Sequence, residues 1–189
     1  NDSIHLLERA GKQGLGTAYV AGFTWAMERG YDAVVEMDAD LSHDPADVPR
    51  LLDELGSADL VIGSRYVVGG AIRNWGPARR ALSLFGNLYA RFWLGFGVKD
   101  STSGYRAYKT AVLAAQDLPS VRSEGYAFQI EMTRRIFRAG GTIVEIPITF
   151  VERVAGRSKM SRRIVLEAFV SVPRWGIRDR LWGSSRRSL

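Results

Sequence analysis

The chain contains no cysteine and only two histidines, His5 and His43, among its 189 residues. The first absence excludes disulfide frameworks, thiolate metal sites and cysteine nucleophiles. The second leaves too few imidazoles for a His-rich metal centre or a second Ser-His relay. Any metal must therefore be held by oxygen. Also missing is an apolar run approaching the roughly 18 residues of a membrane-spanning helix, and no basic-then-apolar leader follows Asn1. The chain is expected to lie on a bilayer at most, and to be a piece whose N-terminal part is missing.

What is present has the balance of a globular protein, with 46% hydrophobic and 24% charged residues, which excludes disorder. The net charge of +6 is unevenly spread. Residues 153–189 carry 10 Lys and Arg against 2 acids, leaving 16 against 18 in residues 1–152. A near-neutral body argues against a nucleic-acid binder. A basic, Trp-containing end suits an anionic surface such as a membrane.

Short β-branched runs alternate with stretches of helical period, the pattern of an α/β domain. Strands are predicted at Ile4–Leu7, Ala33–Met37, Asp59–Ile62 and Thr142–Phe150, the last interrupted by Pro147. Helices are predicted at about Gly16–Arg29, Ala46–Leu55, Pro77–Leu94, Tyr126–Ala139 and Ser161–Val172. In the first helix Tyr19, Phe23, Ala26 and Met27 recur at spacings of three and four, and Gly30 is its stop. No linker divides the chain. Residues 1–172 read as one partial catalytic domain and 173–189 as a basic C-terminal tail.

The most informative segment is Val34-Val35-Glu36-Met37-Asp38-Ala39-Asp40-Leu41-Ser42-His43-Asp44-Pro45. An apolar strand leads into carboxylates at i and i+2, which in extended chain project to one side, so Asp38 and Asp40 can converge on one ion. Mg²⁺ or Mn²⁺ prefers oxygen and commonly shares one or two carboxylates with substrate phosphates. The substrate class this implies is a diphosphate. The alternative is that these acids shape a turn and cap the helix at Ala46, a role assigned mainly to Asp44, with His43 a hydrogen-bonded loop residue.

Further along, Gly63-Ser64-Arg65-Tyr66 leaves a strand, and Asn74, Trp75, Arg79, Arg80 and Ser83 follow. Arginines at strand ends present planar forks suited to phosphate oxygens. Arg65 equally fits a salt bridge to a nearby acid, and Arg79 or Arg80 the solvated face of a helix. Asp100 stands in a polar loop, Asp100–Arg106, either as a catalytic or substrate-orienting acid or as a turn residue paired with Arg106. By composition Glu124–Glu131 reads as core and cap. Arg153–Met160 places three cations, Ser158 and a glycine in a loop able to fold over an anion, or forms a solvated basic connection. Ala81–Val98 is rich in large apolar residues and reads either as a membrane-contacting face, together with Arg162, Arg163, Arg174, Trp175 and Trp182, or as core.

Taken in order, Gly14–Tyr19, Asp38–His43, Gly63–Tyr66, Asp100–Arg106, Glu124–Glu131 and Gly156–Lys159 resemble the dolichol- or polyprenol-phosphate mannosyltransferases over about residues 5–172. The resemblance implies an α/β GT-A, Rossmann-like nucleotide-sugar glycosyltransferase fold, N-terminally truncated, and an inverting transfer of mannose from GDP-mannose to a polyprenyl phosphate. It assigns Asp38 and Asp40 to a Mg²⁺ or Mn²⁺ ion and its diphosphate. Arg65, Arg79, Ser83 and Arg153 go to the acceptor phosphate, and Ser158 and Lys159 to a closing loop. Asp40, Asp100 and Arg65 are its catalytic candidates. The partners implied are GDP-mannose, the lipid acceptor, the cytoplasmic face of a membrane and a membrane protein, with no nucleic acid. Two departures stand out: the Pro-x-Tyr-Asn-Glu and Asp-Asp-x-Ser-x-Asp-Gly-Thr segments of the guanosine pocket do not occur, and Ser42 stands where some relatives have a Gln ligand. The competing readings are a relative that uses another donor such as UDP-glucose, and a module that binds lipid phosphate without catalysis.

Overall fold

Strands β1 (Ala33–Glu36), β4 (Arg106–Lys109), β2 (Leu60–Ser64) and β5 (Ile143–Pro147) form the main sheet, in that spatial order. β2 and β5 run parallel, and β4 is antiparallel to both of its neighbours. A second, two-stranded sheet pairs β3 (Ala71–Arg73) with β6 (Thr149–Val151) in parallel. The helices are α1 (Leu15–Glu28), α2 (Val48–Glu54), α3 (Pro77–Leu94), α4 (Thr110–Ala114), α5 (Tyr126–Arg138) and α6 (Arg162–Gly183). This computed structural model describes residues 4–11, 13–152 and 162–183.

All five residues of β2 are buried, as befits a strand covered on both faces. Period-two alternation then separates two cores. Leu60 and Ile62 join Phe23, Phe128, Met132 and Ile136 on the side of α1 and α5, whereas Val61 joins Leu51, Leu55, Tyr105 and Ile146 on the side of α2. Each fully buried Leu, Ile or Phe contributes about 1.5–3 kcal/mol, so the first cluster is what holds α1 and α5 beneath the sheet.

Several elements differ from the sequence expectation. Residues 4–9 form no strand, and Ile4 and Leu6 are exposed: among the described residues no strand pairs with them. The segment after His43 is a 3₁₀ turn, Pro45–Asp47, before α2 begins at Val48. The run expected as one strand over 142–150 divides after Pro147, β5 joining the main sheet and β6 the small one. β3, β4 and α4 were not foreseen.

The last helix does not stop at Val172 but continues through Pro173 to Gly183, so the residues set apart as a tail begin as helix. Proline lacks the N–H that would bond the carbonyl four residues back. Here that carbonyl, of Phe169, accepts from the Tyr89 hydroxyl of α3 at 3.0 Å. A hydrogen bond of this kind is worth about 1 kcal/mol net, and it ties α6 to α3 where the proline would otherwise leave an orphaned acceptor. One turn on, a side chain on Gly176 would lie 2.3 Å from the Trp93 carbonyl, so only glycine permits this close crossing.

Candidate active site

The strand β1 ends at Glu36, so Asp38 and Asp40 do not lie in extended chain as the spacing argument assumed. They sit in a tight loop whose Leu41 has φ 64, an uncommon left-handed conformation for a residue with a side chain. Local hydrogen bonds shape the loop. Ser42 N donates to Asp40 Oδ1 at 3.1 Å, and Asp38 N donates to His43 Nδ1 at 3.3 Å. Asp44 accepts from Ala46 N at 2.9 Å, the capping role expected of it. Both Asp38 and Asp40 remain partly exposed.

His43 is buried between Tyr105, stacked at 4.8 Å, and Phe150, edge-on at 5.5 Å. Burial lowers its pKa and outweighs the pull of Asp38. Its Nδ1 accepts from the Asp38 backbone, so the imidazole acts as the brace of the acidic loop. Beneath Asp38, the Tyr19 hydroxyl donates to Oδ1 at 3.4 Å, and Glu36 accepts from Gln129 Nε2 at 3.0 Å. Burial pushes the Glu36 carboxyl up to about 7 against the lowering effect of Arg106.

Arg65 emerges from β2 and meets Asp100 in a buried two-pronged pair. Nε donates to Oδ2 at 2.7 Å and Nη2 to Oδ1 at 2.6 Å, while the Arg65 backbone N donates to Oδ2 at 2.9 Å. Burial opposes ionisation of Asp100, but the guanidinium prevails and holds the carboxyl below its usual range. Asp100 thus pairs with Arg65 rather than with Arg106, which instead donates to the carbonyls of Ser101, Ser103 and Gln129 and to Thr133. Glu145 of β5 holds the same loop by accepting from Lys99 N and Asp100 N at 2.7 and 2.8 Å. Arg65 Nη2 also donates to Thr102 at 2.9 Å, and Nη1 makes no hydrogen bond among the described residues.

An aromatic wall carries the second cation. Trp75 lies under Arg79 at 4.2 Å and beside Arg65 at 5.2 Å, and Phe150 meets Trp75 edge-on at 5.4 Å. Arg79 forms an ion pair with Glu152. Arg79, Trp75, Ser83 and Thr102 line one end of a groove with a cavity volume of about 80 Å³, whose walls beyond are Leu82, Gly86 and Tyr89 of α3, Ile130 of α5 and Ala168, Phe169 and Val172 of α6. The loop from Asp100 to Tyr105 joins the two halves of the site: Thr102 faces the groove, while a side chain placed on Gly104 would lie 4.0 Å from Asp38 Oδ2.

Of the residues singled out from sequence, Asp38, Arg65, Arg79 and Ser83 therefore lie around the loop that begins at Asp100, and Asp40 lies two residues beyond Asp38. Arg153, Ser158 and Lys159 lie outside the described residues. Gly14–Tyr19 seats an acid: Glu124 accepts from Gly16 N at 3.0 Å. Sequence reasoning missed Asn87 and Glu145. The signals were there, since Asn87 is a buried amide on an otherwise apolar helix face and Glu145 is an acid inside an Ile-Val-Glu-Ile strand. Asn87 donates to Thr102 at 3.2 Å and accepts from Ser101 at 3.0 Å.

The expectation of membrane contact for Ala81–Val98 divides between two faces. Ala90, Leu94, Phe96 and Val98 are core, whereas Leu84, Phe85, Leu88 and Phe92 are exposed. On α6, Leu166, Val170, Ile177 and Leu181 are exposed, while Trp175 packs against the core. No helix among the described residues is long and apolar enough to cross a membrane.

Residues 1–115 match the model of the family described as glycosyl transferase family 2. The undecaprenyl-phosphate mannosyltransferase of Micrococcus luteus is 55% identical over 185 residues, covering 98% of this chain and 76% of the relative. The polyprenol monophosphomannose synthase of Mycolicibacterium smegmatis is 53% identical over 181 residues, covering 95% and 68%. Among solved structures, glucosyl-3-phosphoglycerate synthase of Mycobacterium tuberculosis with Mn²⁺, UDP and glucosyl-3-phosphoglycerate superposes with a TM-score of 0.58 at 23% identity, covering 85% of this chain and 55% of that one. The same enzyme with UDP alone gives 0.59 at 22%, covering 85% and 56%. The chain spans little more than half of these structures, and the likeness is one of fold.

Proposed function

Because the chain belongs to glycosyl transferase family 2, we propose that it transfers mannose from GDP-mannose to a polyprenyl phosphate, with inversion and with a divalent cation. The observation that carries this reading is the groove: the Arg79 guanidinium and the Ser83 and Thr102 hydroxyls stand at one end of an apolar lining drawn from α3, α5 and α6. That shape suits a molecule with a phosphate at one end and hydrocarbon at the other. The names of the two bacterial relatives support it.

A phosphate monoester has its second pKa near about 6 and is already largely ionised at neutral pH. The acceptor oxygen therefore needs no general base, and Asp100, buried and committed to Arg65, acts by orienting that cation. Arg79 and Ser83 at the groove receive the incoming phosphate, and Arg65, held by Asp100, sets the Thr102 hydroxyl beside them. The phosphate oxygen attacks the anomeric carbon from the side opposite the diphosphate, one C–O bond forming as the other breaks and GDP departing with the electron pair. Two unit charges 4 Å apart repel by about 4 kcal/mol at an effective dielectric of 20, so the guanidinium groups are needed to bring the two anions together.

The donor set fits a cation of this kind. Asp38 and Asp40 offer partly exposed carboxylate oxygens, and an ion of this kind commonly completes its shell with substrate phosphates and water. Mg²⁺ or Mn²⁺ held there supplies positive charge to the leaving group. The exposed apolar faces of α3 and α6 rest on the membrane that holds the lipid acceptor.

The test is transfer of label from GDP-[¹⁴C]mannose to a short polyprenyl phosphate, extracted into organic solvent, with and without Mn²⁺. Asp40→Ala abolishes transfer if the reading is right. Full activity in that variant, or labelling from UDP-glucose and none from GDP-mannose, would refute the donor and metal assignments.

A further inference from the structure

We propose that Gly86 sets the bore of the acceptor groove and so determines how isoprenoid hydrocarbon seats beyond the phosphate; this rests on the polyprenyl phosphate acceptor proposed above. A glycine inside a helix is costly, because its backbone loses more freedom on folding than that of any other residue. Gly86 lies in the interior of α3, well away from either cap. No turn, positive φ or close backbone approach requires it there: a side chain built on Gly86 would meet nothing within 4 Å. What it would enter is the groove, since Gly86 is one of the residues lining it.

Its position along the helix gives the space a meaning. At about 1.5 Å of rise per residue, Ser83 stands one turn before Gly86 and Arg79 two turns before it, on the same face. Arg79 and Ser83 mark the polar end, and Tyr89 and Phe169 mark the apolar interior. Gly86 is therefore the floor over which the first hydrocarbon units must pass when the phosphate sits between Arg79 and Ser83. The wall opposite is α6, fixed at this level by the Tyr89 to Phe169 hydrogen bond at 3.0 Å. With that wall anchored, a larger residue at 86 narrows the channel rather than displacing the helix.

Gly22 supplies the internal comparison. It too lies inside a helix, α1, with nothing within 4 Å of an added side chain, but it does not line the groove. Replacing either glycine by alanine improves the helix equally on propensity grounds and separates only the groove effect.

The experiment compares wild type, Gly22→Ala, Gly86→Ala and Gly86→Leu for melting temperature, for KM toward GDP-mannose and for KM toward polyprenyl phosphate. Both alanine variants are expected to gain about 1–4 °C. Gly86→Leu is expected to raise the acceptor KM on the order of tenfold or more, with donor KM unchanged, and Gly86→Ala to fall between it and wild type. Gly22→Ala keeps both KM values. An acceptor KM in Gly86→Leu equal to that of wild type overturns the inference while leaving the enzyme's function intact. Should the leucine variant fail to fold, equal acceptor KM values in the two alanine variants overturn it instead. A wild-type chain that neither transfers mannose to polyprenyl phosphate nor binds it overturns the functional reading, and this inference with it.

Discussion

Asp100 gives both carboxylate oxygens to Arg65, at 2.7 Å to Nε and 2.6 Å to Nη2, in a pair that is almost wholly removed from water. The two residues are 35 positions apart in the chain, and the contact forms only once β2 and the loop before β4 are in place. Its effect is to fix a guanidinium by one edge and to hold it against Thr102, which lines the groove.

Removing one member leaves the other as an uncompensated buried charge. Asp100→Asn is expected to lose about 3–5 kcal/mol of stability at neutral pH, measurable by urea denaturation. The pH dependence has a definite sign. A carboxyl held below its ordinary range contributes stability fully above the unfolded value of about 3.9, and that contribution disappears as pH falls through the lower folded value. The difference between wild type and Asp100→Asn therefore narrows below about pH 4. A gap that stays constant down to pH 2 would contradict the pairing.

The acidic loop makes the opposite expectation for stability. Asp38 and Asp40 are partly exposed, so Asp38→Asn and Asp40→Asn are expected to change folding free energy by less than about 1 kcal/mol. Mannosyl transfer should fall by at least about 10²-fold, the scale of losing a group that stabilises developing charge. Chelation with EDTA should silence the wild type, and adding back Mn²⁺ should restore it. Undiminished turnover in EDTA would remove the cation from the mechanism.

Arg79 and Trp75 act as a unit, since the guanidinium lies on the indole at 4.2 Å. Arg79→Lys keeps the charge but loses the planar fork and the stack. It is expected to raise KM for the lipid phosphate about tenfold, with stability altered by less than about 1 kcal/mol, because the Glu152 pair is partly solvated. Trp75→Leu should reproduce the effect without touching a charge. Wild-type acceptor kinetics in Trp75→Leu would separate the two residues.

Leu88 and Phe92 are 58% and 68% exposed on one face of α3. Leu88→Glu and Phe92→Glu remove no core contact and should leave stability within about 0.5 kcal/mol of wild type. Flotation with vesicles containing anionic lipid should be lost in the double variant. Equal flotation of the variant and wild type would place membrane contact, if any, elsewhere on the surface.

The parts of the fold legible in the sequence were those with a strong local period. The spacing of Phe23 and Met27 announces α1, Pro77 opens α3 at its first residue, and the β-branched runs mark β1 and β2. β4 was hidden because its first residue is Arg106, a fully buried cation satisfied by backbone carbonyls of its own loop and of Gln129 on α5. β3 is three residues long and exists by virtue of pairing with β6. The apolar residues at 4–7 suggested a strand, but a strand needs a neighbour. For the site, residue types were readable and their partnerships were not: Asp100 suited Arg106 by proximity in sequence, and three-dimensional proximity gave it to Arg65. The strand-end spacing of Asp38 and Asp40 assumed a geometry the fold does not have, because the strand ends before either acid.

Glu145 has one further implication. It stands opposite Ile62 in the parallel pairing of β2 with β5, three residues before the guanidinium leaves the sheet, and both of its oxygens reach across to Lys99 and Asp100. A slip of one residue between these strands would turn Glu145 to the other side of the pleat and release the loop. The alignment of two neighbouring strands is thus written directly into the position of the buried Asp100 carboxylate. A misfolded sheet would announce itself as a dead catalyst before it lost its secondary structure.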